Sequence, residues 1–271
     1  MSSPQLSALS KIAIVLTISV LASCANNSNY DSTANWSVDK LYSEAKDEMN
    51  NGGYTKAIGY YEKLENRAAG TPLAQQAQID KAWAQYKNAE PIQAIATLDR
   101  FIKLHPASSA LDYALYLKGI INFNDDLGLI SSLISQDLAE RDPKQAKESF
   151  EAFKELVTRF PDSKYSEDAR QRMAYIKNSL ARSDVYVAKF YYNKGAYIAA
   201  SNRAQNTIQE YRDSPAVEEA LFVLMQCYEK LGLVQLKEDT QRILENTYPG
   251  SKFLHPQAKI EIVKKPWWKV W

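Results

Sequence analysis

A short mark recurs four times along this chain. Leu104-His-Pro-Ala-Ser108, Arg159-Phe-Pro-Asp-Ser163, Glu210-Tyr-Arg-Asp-Ser214 and Thr247-Tyr-Pro-Gly-Ser251 each set an aromatic ring three residues before a serine. In three of them an alanine follows six residues after that serine, at Ala114, Ala169 and Ala220, and Thr71 with Ala77 keeps the same spacing. Small residues also return at twelve-residue steps: Ala45, Ala57 and Ala69, then Ala82, Ala94 and Pro106, then Ala188, Ala200 and Arg212. Gly119, Ser149 and Pro161 hold the matching places around an insertion. Such a period is the signature of like units stacked side by side. Small residues facing each other across two antiparallel helices allow close approach, and proline stops the second helix. With only 9 Gly in 271 residues and abundant Ala, Leu, Lys, Glu and Gln, the composition favours helix over sheet. Gly52-Gly53 and Gly195 fall where the turn between paired helices belongs.

This pattern resembles the tetratricopeptide repeat, a helix-turn-helix of about 34 residues. The expectation is an all-α superhelix of five repeats, about ten helices, over residues 38–254. From Ala69 the mark recurs after 37, 55, 51 and 37 residues. The surplus of 14 in the fourth repeat is close to four helical turns, which predicts a lengthened first helix from Ser166 to Asn193. The surplus of 18 in the third predicts an irregular insertion from Asn122 to Arg141. The fifth repeat departs most, with Met225 and Lys237 where small residues stood, as a terminal, capping repeat often does.

Ahead of the repeats, Ile12 to Leu21 is an apolar run of ten residues, about half what a bilayer span requires. It closes on Leu21-Ala22-Ser23-Cys24, which resembles a bacterial lipobox. Residues 1–23 are therefore read as a signal peptide and Cys24 as the lipidated first residue of the mature chain, against an ordinary signal peptide with a chance cysteine. In the lipoproteins this resembles, an aspartate after the cysteine holds the protein at the inner membrane. Ala25 and Asn26 stand there instead, which favours the outer membrane. Residues 24–37 read as lipidated cysteine and flexible tether, about 45 Å when stretched. Without residues 1–23 the chain has 32 basic and 32 acidic residues, which gives nucleic acid no basic field to bind. Cys227, the other cysteine, reads as a buried small hydrophobe.

The chain offers little chemistry. His105 and His255 are its two histidines, and neither has partners at metal-ligand spacing, so no metal, cofactor or catalytic residue is expected. Glu148-Ser149-Phe150 is similar to the catalytic setting of lytic transglycosylases, but the Gly-Leu-Met-Gln that follows in that family is missing. Ser149 also fills a packing position. Aromatics are plentiful, and in tetratricopeptide arrays the first helices line the concave groove. Tyr42, Lys46, Trp83 and Lys87 are the candidates there for binding an extended peptide. Residues 255–271 form a basic tail rich in tryptophan, suited to a membrane interface, a partner's groove, or packing on the last repeat.

Together with Arg141-Asp142-Pro143 closing the insertion, and with Tyr191-Tyr192, Gly195-Ala-Tyr197 and Ala200-Ser-Asn202-Arg203, these features resemble the BamD family of tetratricopeptide lipoproteins from Trp36 to about Phe253. The resemblance implies a non-catalytic scaffold on the periplasmic face of the outer membrane. It implies binding to the POTRA domains of BamA through the later repeats, and contact with accessory lipoproteins such as BamC and BamE-type subunits. The early repeats would receive unfolded β-barrel proteins by a C-terminal aromatic signal. Arg141, Asp142, Asn202 and Arg203 fall in the part that faces BamA in such an assembly. Arg203 is equally accounted for as a solvated helix residue and Arg141 as a loop charge. The rival expectation is a lipid-anchored scaffold that recruits a peptidoglycan-synthesis or remodelling enzyme.

Overall fold

The computed structural model describes residues 31–123, 143–255 and 259–260. They form ten α-helices in five antiparallel pairs: α1 (Val38–Asn50) with α2 (Tyr54–Arg67), α3 (Pro72–Lys87) with α4 (Pro91–Leu104), α5 (Leu111–Phe123) with α6 (Pro143–Arg159), α7 (Ser166–Asn193) with α8 (Tyr197–Glu210), and α9 (Ala216–Lys230) with α10 (Val234–Thr247). A 3-10 turn, Lys252–Leu254, follows.

The recurring mark is a hydrogen-bonded device. Each serine N–H donates to the carbonyl of the ring residue three before it, His105, Phe160, Tyr211 or Tyr248, over 2.8–3.1 Å. Each serine hydroxyl then accepts from the N–H two residues on, at Ala110, Tyr165, Ala216 or Phe253. The turn thus satisfies backbone groups left open where one helix stops and the next begins. Two of these hydroxyls also tie adjacent repeats together. Ser108 donates to Gln75 and Ser163 to Asp112, both at 2.7 Å, and both acceptors lie four residues after the previous mark's hydroxyl residue.

The twelve-residue steps are packing contacts in their first two members and punctuation in the third. Ala45, Ala57, Ala82, Ala94, Ser149, Ala188 and Ala200 are fully buried, whereas Ala69, Pro106, Pro161 and Arg212 are exposed at the turns. The α5–α6 crossing is close. Ser149 donates to the Gly119 carbonyl at 2.8 Å, and a Cβ on Gly119 would lie 2.3 Å from the buried ring of Phe153. Each described turn inside a pair has a left-handed residue, supplied in the first, fourth and fifth repeats by Gly52, Gly195 and Gly232 at φ of 70–78°. In the second repeat it is Ala89, at φ 61°.

Helix α7 spans Ser166–Asn193 as its sequence surplus predicts, and its 28 residues make it about 42 Å long. Its first half joins the central core through Ala169 and Ile176. Its second half carries Ala181, Val185 and Ala188 against the last two repeats. The insertion of the third repeat lies almost wholly outside the described residues, as do Cys24 and residues 261–271.

The expected tether ends earlier than its polar composition suggests. Asp31 accepts from Lys63 and Arg67, and Arg67 holds the carbonyls of Thr33 and Trp36 at 2.9 and 3.0 Å. Trp36 packs on Tyr60, and Thr33 is buried. Short polar side chains that read as solvated linker are here the ligands of two cations on α2. Residues 31–37 are a strap on the first repeat.

Candidate functional site

Neighbouring first helices pack on one another, α3 on α5 and α7 on α9. The second helices splay, leaving clefts of about 690 Å³ between α4 and α6 and 610 Å³ between α6 and α8. The coil is therefore concave on the side of the first helices, and that face carries a connected row of tyrosines and carboxylates.

The row begins at Tyr42 on α1, whose hydroxyl donates to Asp80 of α3 at 3.1 Å, while Gln76 holds the other carboxylate oxygen at 2.9 Å. It resumes at Tyr116 on α5, which donates to Asp168 of α7 at 2.8 Å; there Arg172 holds the same carboxylate at 2.6 Å. Counted from the marks, 76 and 80 correspond to 168 and 172, so the second unit repeats the first with acid and donor exchanged. Between them Tyr165 stacks on Tyr116 at 4.8 Å and lies 5.3 Å from Tyr113. Beyond them Phe123 meets Tyr175 edge-on, with Arg172 over the Phe123 ring.

Burial, then the adjoining carboxylates, pushes the Tyr42 and Tyr116 phenols up to about 12. Burial also raises Tyr113. At Asp168 burial acts upward, but the bonds from Arg172 and Tyr116 outweigh it and hold the carboxyl below its usual range. The phenols are thus fixed donors near neutral pH, and Asp80 and Asp168 stay partly exposed as acceptors. Aromatic faces with carboxylate acceptors between them suit an extended peptide, whose backbone supplies N–H donors and whose rings can stack.

Of the four groove residues expected from sequence, Tyr42 belongs to this row. Trp83 is half-buried in the central core against Tyr86 at 5.5 Å, with Lys87 Nζ 5.6 Å from its ring. Lys46 is exposed one turn from Tyr42. The acids and Tyr116 were missed; only the matched spacing of 76/80 and 168/172 signals them. The sequence also hid Lys81, buried between α2 and α3 and neutralised by Glu65 at 2.9 Å. Among the described residues no cluster of His, Cys, Asp or Glu could hold a metal, and no helix is long and apolar enough to cross a membrane. Cys227 is buried and free, and burial pushes its thiol up to about 12.

The residues expected to face a partner lie elsewhere. Arg203, on α8, donates to Asp184 of α7 at 3.1 Å, and Asn206 reaches the other oxygen of that carboxylate at 2.8 Å. The Arg203 side chain remains 49 % exposed, so Asp184 orients the guanidinium while leaving donors free to the outside. Asn202 is exposed beside it, and Arg141 and Asp142 lie outside the described residues.

The family model described as YfiO, outer membrane lipoprotein, matches residues 35–244. Outer membrane protein assembly factor BamD of Neisseria meningitidis serogroup A is 44 % identical over 265 residues, covering 95 % of this chain and 98 % of that protein. The Vibrio cholerae protein of the same name is 34 % identical, over 85 % of this chain and 95 % of its own. Among solved structures, a Podosopora anserina kinesin light chain with nearly identical TPR-like repeats aligns at 14 % identity and a TM-score of 0.36, covering 79 % of this chain and 97 % of that one.

Proposed function

Since the chain belongs to the outer membrane lipoprotein family that these assembly factors represent, we propose that it is a lipid-anchored, non-catalytic scaffold of the β-barrel assembly machinery, held on the periplasmic face of the outer membrane. The observation that carries this reading is near-complete alignment with outer membrane protein assembly factors at 44 % identity. The geometry supports a division of labour along the coil. The tyrosine–carboxylate row of the first helices, with Tyr42 at its head, receives unfolded outer-membrane proteins as extended segments. The later repeats dock the POTRA domains of BamA, with Arg203 and Asn202 beside the α7–α8 contact and Arg141 and Asp142 at the end of the insertion. BamC and BamE-type lipoproteins are the accessory partners of the same assembly.

Arg203→Ala tests the docking side. One charge-assisted bond to a partner, about 1.5–3 kcal/mol, corresponds to a loss of about tenfold or more in co-purification with BamA from detergent-solubilised membranes. The exposed Asp184 pair is worth about 1 kcal/mol at most, so melting should move by only a few degrees. A variant that melts much lower yet binds in full makes Arg203 a structural residue. Recovery of a murein synthase in place of BamA from the same pull-down overturns the assembly reading in favour of cell-wall recruitment. Cys24→Ala tests the anchor: it should abolish acylation, read by intact mass, and leave precursor or soluble protein.

A further inference from the structure

Five large apolar side chains that stay exposed lie on two neighbouring turns. Phe190 and Ile198 flank the turn of the fourth repeat, and Leu233, Val234 and Leu236 line that of the fifth, at 38–66 % exposure. The turns adjoin: Tyr192 packs on Tyr197 at 5.3 Å and lies within electrostatic reach of Glu229, and Gln205 of α8 donates to the Tyr228 hydroxyl of α9 at 2.6 Å. Over residues 190–198 and 230–236 the only charges are Lys194 and Lys230, both exposed; Glu229 at the border is paired with Lys237 at 3.8 Å. Lys194 Nζ stands 5.7 Å from the Phe190 ring, so the cation is carried beside the apolar surface. Helices α8 and α10 start here without a side-chain cap, leaving first-turn N–H groups and the positive dipole end at the same edge. The corresponding turn of the first repeat is polar, Asn50-Asn51-Gly52-Gly53, and that of the second, Asn88-Ala89-Glu90, carries one exposed aliphatic, Ile92, at the place of Ile198, together with an acid.

We propose that this paired turn is a lipid-contact face, on which the protein rests against an anionic phospholipid surface. The aliphatic side chains enter the boundary of the acyl region while the lysines and helix N-termini meet phosphate groups. Rings and aliphatics interleaved with lysine, the bordering acid being paired, have the chemistry of the bilayer interface. The proposal goes beyond the scaffold reading and does not require the anchor.

The test uses the mature chain, residues 24–271, with Cys24→Ala, so that neither the anchor nor the apolar run Ile12–Leu21 can stand in for the contact face. Because Cys227 is fully buried, an environment-sensitive fluorophore can be placed at Ile198→Cys alone. With vesicles of phosphatidylethanolamine and phosphatidylglycerol the label should shift to the blue and return on adding salt. Phosphatidylcholine vesicles should leave it unchanged, as should a label at Ser43→Cys on α1 with either vesicle. Combined Ile198→Ser, Val234→Ser and Leu236→Ser should reduce co-sedimentation with the anionic vesicles by about tenfold or more. A label at position 198 that stays aqueous, or a triple variant that sediments like its parent, overturns the proposal. A triple variant that keeps its vesicle binding but loses a protein partner from solubilised membranes also overturns it, and makes the face a protein interface.

Discussion

Gly119→Ala sets two opposing effects against each other in one substitution. Within α5 the change is favourable, since alanine exceeds glycine in helix propensity by about 1 kcal/mol. Across the helix pair it is not. The new Cβ would stand 2.3, 2.6 and 2.7 Å from three atoms of the Phe153 ring, and that ring is fully buried. The ring has no room to yield, so α5 and α6 must part by about an ångström, which also stretches the 2.8 Å bond from Ser149 to the Gly119 carbonyl. Overpacking of this kind costs about 1–3 kcal/mol, and a weakened buried hydrogen bond adds about 1 kcal/mol. The net expectation is a loss of about 1–3 kcal/mol, or about 2–4 °C of melting temperature for each kcal/mol. Circular dichroism at the helix band measures it, and Phe153→Leu supplies the cycle. Leucine at 153 alone leaves a cavity, but in the Gly119→Ala background it makes room, so the two changes should couple favourably by about 1 kcal/mol or more. If Gly119→Ala melts at or above its parent, or the double variant is simply additive, the close crossing is not what selects glycine at 119.

Ala89 occupies the left-handed position that glycine fills in the other described turns, and Ala89→Gly should raise stability by about 0.5–1 kcal/mol in a denaturant titration; an unchanged midpoint would mean that the backbone there carries no strain. The raised phenols of Tyr42 and Tyr116 predict an alkaline limit. Their folded-state preference for the protonated form is complete below pH 10 and is lost as the pH rises from 10 through about 12, so melting temperature should fall across that window. Tyr42→Phe combined with Tyr116→Phe should flatten the decline, and an undiminished slope would place its origin in other groups.

The repeat marks were legible because a fixed turn geometry demands fixed chemistry: a serine able to give and take hydrogen bonds, and a small residue wherever two helices meet closely. The length of α7 followed from arithmetic on those marks, since a surplus close to whole turns continues a helix without changing the face it buries. The tyrosine–carboxylate row was not legible, because Tyr42 and Asp80, or Tyr116 and Asp168, lie in different repeats, 38 and 52 residues apart. The exchange of acid and donor between 76/80 and 168/172 further hides the kinship of the two units. The strap was misread for a simpler reason. Asp31 and Thr33 are turn formers in a polar stretch, and only the spatial approach of Lys63 and Arg67 makes them ligands. Its place on a first helix marked Trp83 for the groove; it is half-buried against the central core with Lys87 over its ring.

Helix α7 belongs to both halves of the coil. Its early turns are built into the block that carries Tyr116 and Asp168, and its late turns into the block that carries Asp184 and Arg203. A continuous hydrogen-bonded rod about 42 Å long transmits rotation with little bending. A tilt of about 5° at the end near Asp168 displaces Asp184, sixteen residues on, by about 2 Å, enough to re-aim the bond it makes to Arg203. On the proposed function, the alignment of a segment along the early first helices and the aim of the Arg203 guanidinium would therefore be one mechanical variable. In the scaffold proposed above, loading one end of the rod would set the angle at which the other end meets its partner.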